Sequence, residues 1–186
     1  DIICVMTAST PPNQHPPGKS IGQGMLIAGF SLGLIGLTFL FDGWLDKQAN
    51  PNQDPVSSET GSGIREVVLQ RNRQGHYVSG GEINGLPVTF LLDTGATDVA
   101  IPTAIANKAG LNRGLASQAS TANGVITVYS TQINELIFGN ITLNNINASI
   151  TPSMSGDTIL LGMSALNRIE FSQQGSTLTL RQTPES

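Results

Sequence analysis

Hydrophobic and polar positions divide this chain into four stretches. Residues 1–20 are polar and Pro-rich, with "STPPNQHPPGKS" at 9–20, and predict a disordered N-terminal tail. Ile21 to Phe41 runs for 21 residues without a charged side chain, the length an α-helix needs to cross a bilayer. Trp44 follows as an interfacial anchor. Asp42-Gly43-Trp44 is a poor cleavage site, so the run predicts an uncleaved transmembrane helix over 21–41 rather than a signal peptide. Residues 42–63, including "DKQANPNQDPVSSETGSG", read as a polar linker. From Ile64 to Thr183 short apolar runs alternate with turn residues, which places the folded domain at 64–183.

Inside that domain the period is mostly that of strands. "VVLQ" at 67–70 and "HYVSGGEI" at 76–83 are short strands, and Asn84-Gly85 is a two-residue hairpin signal leading into "LPVTFLL" at 86–92. "PTAIANKAG" predicts a short helix, with Pro102 near its first turn and Gly110 at its end. "TANGVITVYSTQI" holds a second Asn-Gly hairpin, its tip at Asn123 and Gly124. "LIFGNITLNNINASI" supplies two more strands, and Tyr129 is expected to pack from its own strand. "TILLGMSALNRIEF" reads as a buried strand, a Gly turn and a short helix. "EFSQQGSTLTL" closes the domain as a hairpin around Gly175.

Composition narrows the function classes. Charged residues make up 12% of the chain and the net charge is -4, with no Lys/Arg stripe, which argues against nucleic-acid binding. The single cysteine, Cys4, and the two histidines, His15 and His76, do not make a metal site, and no cofactor motif is found. "GKS" at 18–20 lacks both the preceding strand and the upstream glycine of a phosphate loop. The expected cofactor and metal complement is none.

One stretch stands apart. "FLLDTGATDVAIP" at 90–102 runs an apolar strand directly into Asp93. A carboxylate at the end of a buried strand is either satisfied by hydrogen bonds or kept for chemistry. Gly95 removes a side chain so that backbone N–H groups can approach the carboxylate, and Thr94 supplies a hydroxyl. One carboxylate can polarise a water but cannot also protonate a substrate carbonyl, so hydrolysis by carboxylates takes two of them sharing a proton.

Asp93-Thr94-Gly95-Ala96, the hairpin at 123–124 and Leu160-Leu161-Gly162 before a helix together resemble a retropepsin-type aspartic protease over 64–183. "TANG" and "LLGMSAL" are similar to the single-domain, membrane-anchored bacterial members. The resemblance implies an all-β, closed barrel-like fold with a flap hairpin and one or two short helices, here preceded by the transmembrane helix. It implies Asp93 as the catalytic acid, Thr94 as the hydroxyl bracing paired turns, and Gly95 as the turn glycine. Substrate would lie along Ala96, Thr97 and Asp98 and under Ala122, Asn123 and Gly124 of the flap. Leu160, Leu161 and Gly162 would support the turn from behind. Thr97 stands where viral members commonly have Asp, and the flap tip offers one glycine.

No second Asp-Thr-Gly exists in the chain, because Asp157-Thr158 runs into Ile159. The expected enzyme is therefore a homodimer that hydrolyses peptide or protein substrates. Weak charge asymmetry around the apolar run, with Asp42 and Asp46 beyond it, is compatible with an inner-membrane anchor and a periplasmic protease domain. Two rivals use the same fold: a catalytically silent dimerisation or peptide-binding module, and an anchored β-domain of structural use. Neither needs acid, hydroxyl and glycine together.

Overall fold

A computed structural model describes residues 19–121 and 124–184. The chain divides after Gly43 into two compact units.

Helix α1 (Lys19–Ala49) dominates the first unit. It is long and apolar enough to cross a membrane, and its apolar window is wholly exposed. At 1.5 Å per residue the apolar run from Ile21 to Phe41 covers about 30 Å, which matches a hydrocarbon core.

The second unit is a β-domain. Its elements are β1 (Val56–Glu59), β2 (Arg65–Gln70), β3 (Val78–Ile83), β4 (Leu86–Leu92), β5 (Val99–Pro102), α2 (Thr103–Lys108), β6 (Ala116–Thr121), β7 (Gly124–Phe138), β8 (Ile141–Thr151), β9 (Thr158–Leu161), α3 (Met163–Leu166), β10 (Glu170–Gln174) and β11 (Thr177–Gln182). Seven strands form one sheet in the order β3-β4-β9-β5-β8-β7-β6. Glu82 and Ile83 of β3 also pair with Ile137 and Leu136 of β7, which closes the sheet into a barrel and leaves the β6–β7 hairpin projecting. A four-stranded sheet, β1-β2-β11-β10, packs beside it. Apolar residues at alternate strand positions fill the interior: Phe90, Ile101, Ile133, Phe138, Ile150 and Leu161 are each essentially solvent-free. At the Asn84-Gly85 turn both residues take positive φ, 48° and 76°, as the hairpin signal requires.

The polar stretch at 42–63 is ordered over much of its length. The end of α1 reaches Ala49, whose carbonyl accepts from Asn72 Nδ2 at 3.0 Å. Asn52 is buried, and its side chain bridges two strands. Asn52 Nδ2 donates to the carbonyls of Gln70 (2.9 Å) and Val78 (2.6 Å), and Oδ1 accepts from Gln70 N at 2.7 Å. Its carbonyl accepts from Gly80 N at 2.9 Å. A buried amide with its donors and acceptor paired fixes the chain at this point. The segment before the barrel is thus stitched to β2 and β3 rather than hanging from them.

Candidate active site

Strand β4 carries Asp93 to the surface because its neighbour β9 runs parallel to it. The register pairs Leu91 with Leu160 and Leu92 with Leu161, so both strands end together. Leu161 is fully buried, and its carbonyl accepts from Asp93 N at 3.2 Å. β9 lies between β4 and β5, the two strands that the Asp93 turn connects. The turn therefore passes over the end of the strand that supports it.

Within the turn, Gly95 N donates to Asp93 Oδ1 at 2.9 Å and Ala96 N to the Asp93 carbonyl at 3.2 Å. Asp93 Oδ2 has no protein hydrogen-bond partner among the described residues. Asp93 is half-buried while Thr94 and Gly95 are exposed. One carboxylate oxygen is tied to its own turn and the other is open.

The segment after the turn is held from α3. Met163 N donates to the Ala96 carbonyl at 2.8 Å, and Ser164 N to the Thr97 carbonyl at 2.9 Å. Ser164 Oγ accepts from Val99 N at 3.0 Å and donates to the Asn147 carbonyl at 2.7 Å. Gly162 makes this approach feasible, because a Cβ there would run into the carbonyls of Asp98 and Ala96. Leu161 and Gly162 are thus brought against Asp93, Ala96 and Asp98 in one cradle, while Leu160 pairs with Leu91 and Ala100 on either side. Sequence reading did not single out Met163, Ser164 or Asn147. Only the position of Met163 and Ser164 directly after "LLG" hints at them.

The hairpin contributes separately. Thr121 of β6 pairs with Gly124 of β7; Ala122 and Asn123, expected over the substrate, lie outside the described residues. Gly124 opens β7 with φ of 113°. Tyr129 is partly buried on β7, and the Arg113 guanidinium sits 5.1 Å from its ring centroid.

Asp157 lies at the opposite end of β9 from Asp93, since Thr158 pairs with Thr89. The length of that strand, about 13 Å, keeps it from forming a carboxylate pair with Asp93 of its own chain. Asp93 lines none of the grooves of about 460, 580 and 880 Å³ on the β-domain. No group of three His, Cys, Asp or Glu that could hold a metal is found among the described residues.

Known proteins align with this geometry. A family model described as gag-polyprotein putative aspartyl protease matches residues 79–168, which run from β3 past α3 and include the turn, the hairpin and the cradle. An uncharacterized Sinorhizobium protein, encoded in the region 5′ of cobV, is 35% identical over 60% of this chain and 49% of its own length. An uncharacterized protein of Rickettsia prowazekii is 29% identical over 58% of this chain and 47% of its own. The chain spans about half the length of these curated relatives. The crystal structure of a retropepsin-like aspartic protease from Rickettsia conorii superposes with a TM-score of 0.52 at 26% identity, covering 69% of this chain and 95% of that one. The domain built around Asp93 thus has a retropepsin-like fold, and over residues 79–168 its sequence is similar to gag-polyprotein-type aspartyl proteases.

Proposed function

We propose that the chain is an aspartic endopeptidase, anchored in the inner membrane by α1 with its β-domain in the periplasm, whose active site forms between two copies. The observation that carries this reading is the half-tied carboxylate of Asp93, with Oδ1 fixed by Gly95 N and Oδ2 open. A fixed carboxylate with one open oxygen suits a partner carboxylate and a water. The partner is Asp93 of a second copy, because the chain has one Asp-Thr-Gly and Asp157 lies at the far end of β9.

The chemistry follows from two carboxyl groups holding one proton between them. The ionised Asp93 takes a proton from water as its oxygen bonds to the scissile carbonyl carbon. The protonated Asp93 hydrogen-bonds the carbonyl oxygen as negative charge develops there. The tetrahedral intermediate then collapses, the C–N bond breaks, and the proton taken from water passes to the leaving amine. No bond to the protein forms at any stage. Ala96, Thr97 and Asp98 flank the substrate beside the turn, and Ala122, Asn123 and Gly124 cover it from the hairpin. Thr94 braces one turn against the other.

The direct test is cleavage of a denatured protein by the full chain in detergent, across pH and with or without pepstatin. The expected result is pepstatin-sensitive cleavage that favours acid and declines as the pair loses its shared proton. A rate still climbing between about pH 7 and 9 would contradict a carboxyl pair. Absence of cleavage at every pH would favour the silent binding module.

A further inference from the structure

A groove of about 880 Å³ lies away from the Asp93 turn, lined in part by Arg65, Thr142, Asn144, Asn145, Arg168 and Gln182. Among the described residues, no acidic one lines it. Arg65 and Arg168 take no part in the ion pair found among the described residues, which joins Arg181 Nε to Glu66 Oε2 at 2.6 Å. Glu59 is the cross-strand neighbour of Arg65, but it is exposed, lies outside the groove and makes no ion pair with it. In a chain with 9 basic and 13 acidic residues, two arginines without a carboxylate in one groove are a local reversal of sign.

The groove also has an open strand edge. β8 pairs with β7 along its length but with β5 only from Ala148 to Thr151, so residues 141–147 keep one edge without a strand partner. Thr142 shows what that edge accepts. Its N–H donates to Gln182 Oε1 at 3.3 Å, and its carbonyl accepts from Gln182 Nε2 at 2.6 Å. A side-chain amide filling both positions stands in for the peptide group of an added strand. By the two-residue alternation of a strand, Asn144 turns its own N–H and carbonyl the same way. Asn145 takes a φ of 55°, and Asn134 and Asn145 are the one opposed couple left unpaired between Ile133–Ile146 and Glu135–Asn144, with the register unchanged on either side.

We propose that this groove docks an extended acidic segment of a partner protein, which displaces the Gln182 amide from Thr142 and pairs with the edge of β8 at Thr142 and Asn144, its carboxylates on Arg65 and Arg168. Strand addition supplies backbone bonds, and the two guanidinium groups supply selection for acid through charge-assisted, bidentate contacts. Two arginines are too few for a nucleic-acid track, which needs a continuous basic surface. None of the groove residues belongs to the Asp93 turn or its cradle.

The experiment uses the full chain in non-ionic detergent carrying Asp93→Asn, so that no probe is cut. The probe is a short fluorescein-labelled peptide alternating Glu with Thr and Val, compared with its Gln counterpart by fluorescence anisotropy. Saturable binding of the Glu peptide alone is expected. Affinity should fall about tenfold in Arg65→Gln or Arg168→Gln, with partial recovery in the Lys variants. It should weaken with added salt and stay unchanged in Arg181→Gln, whose guanidinium is already paired. No binding, equal binding of the Gln peptide, or equal affinity across the variants would overturn the proposal. Arginine-dependent binding to vesicles of anionic lipid without binding of the peptide would overturn it too. A failed cleavage assay leaves this experiment readable, because it needs no turnover.

Discussion

The Asp93 cradle and the β6–β7 hairpin meet opposite physical demands. The cradle is bonded on several sides: Leu161 below the turn, Met163 and Ser164 behind it, and Gly162 with no side chain to intervene. In the hairpin, β6 pairs with β7 alone, and five of its six residues are exposed. Few buried contacts mean low local stability, and under the proposed function, in which the hairpin admits and releases a long substrate, that is the end of the range expected of it. The carboxylate needs the reverse, because small displacements of a reacting group are costly in rate. The difference teaches that damage to the two regions should read out in different kinetic constants.

The largest effect is expected at Gly162. Gly162→Val forces a branched side chain into the carbonyls of Asp98 and Ala96 and pushes the turn outward. Activity should fall by about 100-fold or more. Stability should drop by roughly 2–3 kcal/mol, as for an overpacked core. Thermal unfolding alongside initial rates would check both. Wild-type activity in this variant would mean that the cradle does not set the carboxylate's position.

Ser164→Ala is expected to be milder. It leaves Val99 N and the Asn147 carbonyl without their shared hydroxyl, a cost of about 1–3 kcal/mol. Met163 N and Ser164 N still hold Ala96 and Thr97 through the backbone, so kcat should fall while KM stays near its original value. A change confined to KM would place Ser164 with substrate instead.

The smallest stability effect belongs to the hairpin. Val125 is 65% exposed, so Val125→Ser should shift stability by no more than about 0.5 kcal/mol. If the hairpin covers substrate as proposed, KM should rise with kcat largely kept, because Val125 offers its exposed apolar side chain from the hairpin while the carboxylate is untouched. Loss of kcat without a change in KM would erase the distinction drawn between cradle and hairpin.

Much of this arrangement is legible along the chain, for local reasons. Asn84-Gly85 announces a turn because both residues tolerate positive φ, and "LPVTFLL" announces the strand it starts. The Asp-Thr-Gly turn and "LLG" are visible because each packs its constraint into three residues. What stayed hidden depends on partners far away in sequence. β1, "VSSE", has no apolar alternation and is a strand only because β2 pairs with it. β5, "VAIP", is hidden by its own proline and by the helix that begins immediately after it. β7 and its hairpin arm form one continuous strand of 15 residues, which a short turn-to-turn reading splits. Asn52 and Ser164 look like ordinary polar residues until the carbonyls they bridge come together. The Arg65 and Arg168 groove is of the same kind, since those residues lie a hundred positions apart and meet only through the fold.

In the proposed enzyme each active site takes one Asp93 from each of two copies. The most direct measurement mixes wild-type chain with Asp93→Asn, lets subunits exchange in detergent, and follows cleavage against composition. Asparagine keeps the shape and a hydrogen-bonding group while removing the titratable acid, so the variant should still pair. Random pairing makes activity follow the square of the wild-type fraction, leaving about one quarter at equal amounts, as for any two-fold assembly. Activity that instead falls in direct proportion, to about one half, and stays independent of protein concentration would mean a catalyst working as a single chain, and would contradict the shared carboxylate pair.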